Sequence, residues 1–85
     1  MKITVNARIQ NRNIKVSTQD EFEAKYFNHE IKISYSPLVT PKYPHLRNYL
    51  LVVKNKKGNQ VVGTNRDFHT IKDAIRETLK MAKLI

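Results

Sequence analysis

Cationic and amide side chains dominate the residues of this chain that could do chemistry. Sixteen Lys and Arg stand against seven Asp and Glu, which gives a formal net charge of +9 over 85 residues. An excess of this size attracts polyanions, and cations that neutralise phosphates supply most of the nonspecific affinity of proteins for nucleic acid. The composition therefore points first to a nucleic-acid partner, and it excludes an acidic mimic of DNA.

The basic residues concentrate on a predicted polar sheet face, in a hairpin turn and in a proline-containing loop. Amide side chains accompany them, and Asn and Gln can bind phosphate oxygens or read adenine. Tyr43 and His45 lie among the loop cations and could stack on bases. The residues predicted to bind nucleic acid are Arg8, Lys15, Lys32, Lys42, Arg47, Lys54, Lys56, Lys57, Asn59 and Arg66.

The sequence lacks the residue arrangements that would support catalysis or a metal site. The chain has no Cys, so it can form neither a disulfide nor a thiolate metal site. His29, His45 and His69 are widely separated, and none has a second His four positions away, which is a common metal-ligand spacing. Gly58 and Gly63 are the only glycines, so a Gly-rich phosphate loop is absent. We predict a protein with no enzymatic activity, no metal and no cofactor.

Chain length and hydropathy predict a single domain over residues 1–85. The segment from Met1 to Val5 alternates apolar and polar residues, so a signal peptide is not expected. No apolar run approaches the ~20 residues of a membrane span. The expected location is the cytoplasm, with no membrane partner. The abundance of Ile, Lys and Asn favours a bacterial, phage or mobile-element origin with an AT-rich gene.

Alternating apolar and polar residues predict the strands that must position these side chains. Two such segments around Asn11-Arg12-Asn13 are typical of a hairpin, and Gly58 suits the positive φ of a second hairpin turn at 55–59. The segment 49–53 is apolar without alternation, which is typical of a central strand covered on both faces. The predicted strands are 2–10, 14–17, 31–36, 49–53 and 60–64.

Two segments predict helices. Thr18 and Glu21 have capping-box spacing, which predicts a short helix over 19–27; a strand over 22–27 is the alternative, because the aromatic residues there also suit strands. The second helix, over 70–83, has Thr70 as its N-cap. Its apolar face repeats with helical period and comprises Ile71, Ala74, Ile75, Thr78, Leu79 and Ala82.

The segment 37–47 contains three prolines, which forbid a helix or a central strand. A loop of this length in a compact domain is often functional. Most aromatic residues of the chain are expected in or near the core, with Tyr43 as the exposed exception. The residues predicted to bind a partner are Tyr43, His45 and Leu46.

These elements predict an α+β fold in the order β-β-α-β-β-β-α. An antiparallel sheet of about five strands would have both helices on one face. The other face is expected to be polar, basic and free of acids, and a β-ribbon of this kind fits the major groove of DNA. The residues expected on that face are Lys2, Thr4, Asn6, Arg8, Lys15, Ser17, Lys32 and Ser34.

The C-terminal part of the chain combines the strand 48–53, the hairpin Lys56-Lys57-Gly58, a return strand, and Phe68-His69-Thr70-Ile71-Lys72-Asp73-Ala74 at the start of a helix. In this order of motifs, residues 48–83 resemble the AP2-like DNA-binding domain at the N-terminus of phage and transposon integrases. That family packs a three-stranded sheet on one helix and lays the sheet in the major groove. The resemblance implies DNA contacts from Lys54, Lys56, Lys57 and Asn59, and core positions for Phe68 and Ala74. Leu50 and Val52 depart from it, because a DNA-reading face should be polar.

The sequence therefore predicts a small basic nucleic-acid-binding accessory protein of phage or mobile-element type, with DNA favoured over RNA. The alternative is a protein effector that inhibits or adapts a host protein or ribonucleoprotein, such as a nuclease, through the proline loop. A third interpretation is a structural subunit that assembles through an edge strand at 31–36, where Lys32 would guard against unwanted pairing.

Overall fold

The computed structural model describes residues 14–84, which form one antiparallel sheet with an α-helix on one face. Each strand pairs with the next along the chain, so the sheet is a five-stranded meander in the order β1-β2-β3-β4-β5. The predicted α+β class is confirmed. The elements are β1 (Ile14–Ser17), β2 (Glu21–Tyr26), β3 (His29–Tyr35), β4 (Arg47–Lys54), β5 (Gln60–Phe68) and α1 (Ile71–Met81).

The segment predicted as a helix over 19–27 contains strand β2, so the prediction of two helices is wrong. Phe22, Ala24 and Tyr26 are buried and alternate with residues that face solvent, which is the period of a strand. Phe22 lies opposite Ile33 and Ala24 opposite Ile31 on β3. The alternative prediction, a strand over 22–27, is the one that agrees with the structure.

The hydrogen bonds that suggested a helix cap are present, but they close a turn. The Thr18 hydroxyl oxygen accepts from the backbone amides of Asp20 at 3.2 Å and Glu21 at 3.0 Å. The Thr18 amide in turn donates to the Glu21 carbonyl oxygen at 2.8 Å. The capping pattern therefore produces the tight connection from β1 to β2.

The described residues form five strands, as many as predicted, but they are not the same five segments of the chain. Strand β2 replaces the predicted helix, while the predicted strand 2–10 and the turn at 11–13 lie outside the described residues. The segment 31–36 falls almost entirely within β3, which pairs with β2 on one side and β4 on the other. The third interpretation, assembly through 31–36 as a sheet edge, is therefore wrong. The proline segment is a loop of turns over 36–46, as predicted.

Helix α1 lies across the face of the sheet on which the buried side chains of β2 to β5 converge. Thr70 caps it, and its hydroxyl accepts from the Asp73 amide at 3.4 Å. Burial of a side chain such as Leu79 contributes about 1.5–3 kcal/mol. The core comprises Phe22, Ala24, Tyr26, Ile31, Ile33, Tyr49, Leu51, Val53, Val62, Ile71, Ala74, Ile75 and Leu79.

A Schellman motif ends the helix. Lys83 adopts a left-handed backbone with φ of 58°. Its amide donates to the Lys80 carbonyl, and the Leu84 amide donates to the Leu79 carbonyl at 2.8 Å. Leu84 then packs against the core, so the turn after the helix extends the apolar contact of the helix itself.

Strand β4 lies inside the sheet, between β3 and β5, which agrees with the prediction of a non-edge strand, but α1 covers only one of its faces. Tyr49, Leu51 and Val53 are fully buried on the helix side. On the other face Leu50 is 39% exposed and Val52 is half-buried. The expectation of a strand covered on both faces is thus wrong for the part of the chain that the structure describes.

Candidate nucleic-acid interface

The sheet face opposite α1, here called the open face, carries charges of both signs. The strand register places Glu23 opposite Lys32, and Glu30 between Lys25 and Lys54. Opposite charges on neighbouring strands stabilise a sheet by roughly 0.2–1 kcal/mol for each pair. The charged residues of the open face are Glu21, Glu23, Lys25, Glu30, Lys32, Lys54 and Asp67.

The prediction of a basic, acid-free sheet face is therefore wrong for the described residues. Part of the error follows from the helix prediction, because a strand at 21–26 directs Glu21 and Glu23 to the open face. The other two acids lie just outside the predicted strands: Glu30 precedes 31–36 and Asp67 follows 60–64. Ser17 lies opposite Phe22 and so belongs to the helix side. Lys32 does lie on the open face, but between an acidic neighbour on β2 and the apolar Val52 on β4.

One end of the sheet gathers lysines without matching carboxylates. Because the sheet is a meander, the β2–β3 turn at 27–28 and the β4–β5 turn at 55–59 lie at the same end, which we call the two-turn end. Neighbouring strands are about 4.8 Å apart, so these two turns are separated by about 10 Å. The exposed lysines of the two-turn end are Lys25, Lys54, Lys56 and Lys57, and its one carboxylate among the described residues is Glu30.

A cleft of about 220 Å³ joins the two turns. Amide groups and cations share its walls, which is a combination that suits phosphate oxygens. The cleft is open to solvent. Its lining residues are Lys25, Asn28, Glu30, Asn55, Lys56 and Gly58.

The β4–β5 turn is held by its own asparagine. The Asn55 side-chain oxygen accepts from the backbone amides of Lys57 and Asn59, each at 3.0 Å. The Asn59 carbonyl accepts from the Asn55 amide at 2.9 Å, and Gly58 has the positive φ of 83° that the turn requires. The sequence predicted this role of Gly58. As a result, Lys56 and Lys57 extend from a well-ordered backbone.

The two turn lysines of the two-turn end, Lys56 and Lys57, are available to an external anion. In the described part of the chain, the one ion pair joins Arg47 to Asp20, at the far end of the sheet. Lys56 and Lys57 are exposed, and no carboxylate of residues 14–84 lies within salt-bridge distance of either ammonium group. Within this region, therefore, no ion pair neutralises their charges.

The side chain of Arg47, a predicted nucleic-acid contact, is 31% exposed and makes contacts within the protein. Its guanidinium donates to the Asp20 carboxylate at 2.6 Å and lies over the Tyr35 ring at 3.8 Å from the centroid. The hydrogen bond to Asp20 is the main reason that the pKa of Arg47 is raised above its ordinary value. Burial raises the pKa of the neighbouring Tyr49 hydroxyl. Arg47 braces the start of β4 against the β1–β2 turn.

A polar network fixes the loop 36–46 to β5. The Asp67 carboxylate accepts from the Lys42 backbone amide at 2.7 Å and from the Asn48 side chain at 2.8 Å. These two bonds, the first the larger cause, lower the pKa of Asp67 below its ordinary value. The Asn48 oxygen accepts from Asn65 at 2.8 Å, so this buried amide is bonded through both of its polar atoms. Lys42 keeps an exposed side chain on a firmly anchored backbone.

The predicted partner-binding residues lie in this same loop. Tyr43 is 50% exposed, stacks on His45 at 5.8 Å between ring centroids, and has the Lys42 ammonium 5.7 Å from its ring. His45 also contacts His69, at 4.9 Å between centroids. Leu46 is half-buried, and its amide donates to the Tyr43 carbonyl. The expectation of an exposed Tyr43 is confirmed.

The ten residues predicted to bind nucleic acid do not share one surface. The two-turn end holds four of them, whereas Lys42 and Arg47 lie at the opposite end. Arg66 is exposed on β5, opposite Tyr49 and hence on the helix side. Lys15 belongs to β1, and Arg8 lies outside the described residues. The four at the two-turn end are Lys54, Lys56, Lys57 and Asn59.

Sequence reasoning left three sets of residues out of the candidate site. Lys25 joins the two-turn end only because β2 is a strand. Phe27, expected near the core, is 69% exposed at the tip of the β2–β3 turn. The third set is a stripe on the outer face of α1, which the helical spacing of its charges could have revealed. That stripe comprises Lys72, Arg76 and Lys80, and Lys83 follows in the turn that ends the helix.

No protein-family model matches this chain, and the searches of curated proteins and of solved structures likewise gave no significant match. Within residues 14–84, no helix has the length and apolarity needed to cross a membrane. Nor does this region bring together three or more His, Cys, Asp or Glu side chains that could hold a metal ion.

Proposed function

We propose that this protein is a small nucleic-acid-binding accessory protein whose two-turn end contacts the phosphate backbone. The observation that carries this proposal is that Lys25, Lys54, Lys56 and Lys57 lie at one end of the sheet, where Lys25 and Lys56 line an amide-containing cleft and Glu30 is the one carboxylate among the described residues. Four lysines against one carboxylate at the same end of the sheet form the kind of concentrated positive potential that attracts a polyanion.

In this proposal the two turns contact the nucleic acid, and the open face of the sheet does not. Residues 48–83, which resemble the AP2-like domain, span most of β4 together with β5 and α1. However, Glu30 and the apolar Leu50 and Val52 make the open face a poor match for a DNA groove. The turn lysines satisfy the chemistry of a phosphate contact without requiring that face to enter the groove.

The dependence of affinity on salt tests this proposal. If the four lysines each neutralise one phosphate of a single strand, log affinity falls with log salt at a slope of about −2.8, and binding weakens about 50-fold between roughly 50 and 200 mM salt. The variant Lys54→Gln/Lys56→Gln/Lys57→Gln keeps one contact, so it should weaken only about threefold over the same range. Fluorescence anisotropy with labelled single-stranded and duplex DNA measures both.

The outer stripe of α1 provides a matched control. The variant Lys72→Gln/Arg76→Gln/Lys80→Gln also removes three positive charges from exposed positions of the same chain. It should keep most of the wild-type affinity and slope. Equal losses in the two variants would show that net charge, and not the two-turn end, determines binding. A flat salt response of the wild-type protein would refute nucleic-acid binding itself.

A second candidate function is binding of a host protein through the loop 36–46. Leu38 is 97% exposed, Val39 42% and Tyr43 50%, although hydrogen bonds to β5 anchor the loop. Exposed apolar and aromatic side chains on an ordered loop are typical anchors of protein interfaces. This candidate predicts that one stoichiometric protein is retained from nuclease-treated lysate, and that Leu38→Ser/Tyr43→Ser loses it. Loss of every partner after nuclease treatment would favour the first proposal.

A further inference from the structure

An exposed aromatic residue occupies a left-handed backbone position at the two-turn end. Phe27 has φ of 48° and Asn28 has φ of 61°, and these two residues form the whole β2–β3 turn. A two-residue hairpin with positive φ at both positions is a type I′ turn, which prefers Asn-Gly. Asn28 suits this backbone, but a bulky Phe is disfavoured in it, so the Phe27 position lowers folding stability.

Burial does not compensate for this backbone conformation. Phe27 is 69% exposed, more than any other aromatic residue among the described exposed hydrophobics. The surrounding structure nevertheless fixes the turn. Tyr26 pairs with His29 across the hairpin, and His29 Nδ1–H donates to the Phe27 carbonyl at 2.8 Å. The ring is held against Tyr26 at 4.4 Å between centroids, in a tilted arrangement, and it stays largely exposed to solvent. Residues kept in disfavoured backbone regions cluster at functional sites.

We propose that Phe27 is a stacking platform for an unpaired base, so that the nucleic acid bound at the two-turn end is single-stranded. This inference rests on the proposed function. Proteins that bind single strands combine cations along the backbone path with aromatic rings on which bases stack. Lys25 lies two residues before Phe27, and the lysines of the β4–β5 turn lie about 10 Å away across two strand spacings. A base in a duplex is already stacked and paired, so only an unpaired base can occupy the ring face.

Two substitutions at this position separate stacking from turn stability. Asn tolerates a left-handed backbone, so Phe27→Asn removes the ring and should leave the melting temperature equal to or above that of the wild type. Loss of one stacked base should weaken binding of a thymine oligonucleotide of about 12 nucleotides by about 5- to 150-fold. Phe27→Leu keeps an apolar side chain without an aromatic face, and should show a similar loss. Binding of a duplex should change little in either variant.

A direct readout of stacking is available because the chain contains no Trp. In Phe27→Trp the single indole should be strongly quenched when the thymine oligonucleotide binds, and the affinity should be at least that of the wild type. Unchanged indole emission on saturation would overturn the stacking proposal.

The outcomes distinguish this inference from the proposal on which it rests. Wild-type affinity in both Phe27→Asn and Phe27→Leu, together with a loss in the triple-lysine variant of the β4–β5 turn, would overturn stacking and leave nucleic-acid binding intact. Preference of the wild-type protein for duplex over single strand would also overturn stacking. Absence of binding to either form would overturn both proposals.

Discussion

Replacing Arg47 should destabilise the protein without weakening its binding of nucleic acid. The Arg47 guanidinium stacks on Tyr35 and bonds to Asp20, so it braces the start of β4. A cation–π contact contributes about 0.5–2 kcal/mol, according to its exposure. The ion pair adds less, about 0.2–0.5 kcal/mol, because the Asp20 side chain is 70% exposed. Arg47→Gln should therefore cost about 1.5 kcal/mol, which lowers the Tm of a domain of this size by roughly 6–12 °C.

Two companion variants separate the stacking from the ion pair. Asp20→Asn removes only the ion pair and should lower Tm by no more than about 4 °C. Arg47→Lys keeps the charge but loses the planar guanidinium, so its Tm should lie closer to that of Arg47→Gln than to that of the wild type. Circular dichroism melts of the four proteins at the same ionic strength provide the comparison.

Binding measured well below the melting temperature completes this test. If Arg47 is a brace, Arg47→Gln should bind single-stranded DNA within about twofold of the wild type, because no phosphate contact has been removed. If Arg47→Gln keeps the wild-type Tm but loses affinity, the stabilising role of Arg47 is refuted and Arg47 is a nucleic-acid contact. A Tm of Arg47→Lys equal to that of the wild type would refute the stacking contribution.

Three further substitutions test the backbone and the loop anchor. Hydrogen bonds lower the pKa of Asp67, so the ionised carboxylate should stabilise the fold above about pH 4, and this effect should be lost as the pH falls through the lowered pKa of the folded state. The Tm difference between wild type and Asp67→Asn should therefore shrink from pH 7 to pH 2.5. A constant Tm difference would contradict this prediction. Lys83→Gly should raise stability by about 0.5–1 kcal/mol in urea unfolding, since glycine suits the left-handed position that ends α1, and a loss would argue against the Schellman motif. Gly58→Ala places a Cβ at φ of 83° and should cost about 1 kcal/mol in the same assay, whereas a neutral result would indicate that the β4–β5 turn can change its type.

The sequence predicts the C-terminal half well because its local signals agree with one another. The apolar run of β4, the Asn55 and Gly58 turn and the Thr70 cap each favour the same arrangement, and the structure has it. In α1, the apolar spacing also places Ile75 and Leu79 in the core. Agreement of local preferences with the tertiary fold is what makes such segments predictable.

The helix prediction for 19–27 is wrong because the two large aromatic residues of this segment fit both the helical and the strand period. Phe22 and Tyr26 are four positions apart, which fits both a helical face and alternate positions of a strand. Ala24 distinguishes the two, but a small residue gives a weak signal. The strand forms because Phe22 and Ala24 pair with isoleucines of β3, a contact that local sequence does not reveal.

The candidate site was only partly predictable for the same reason. Lys54, Lys56, Lys57 and Asn59 belong to one predictable hairpin, and the structure places them together. Lys25 and Phe27 join them only when β2 pairs with β3 and aligns the two turns. The binding partners of Arg47 were also hidden, because Asp20 lies 27 residues away along the chain.

The order of elements also affects how the protein is made. A ribosome releases β1 to β5 before α1, so the apolar face of the sheet emerges ahead of the helix that covers it. During that interval Phe22, Ile33 and Leu51 are available to other apolar surfaces in the cell. Fragments that end before Ile71 should consequently aggregate or engage chaperones, whereas the strand pairings, each made between neighbours in the chain, can form early and quickly.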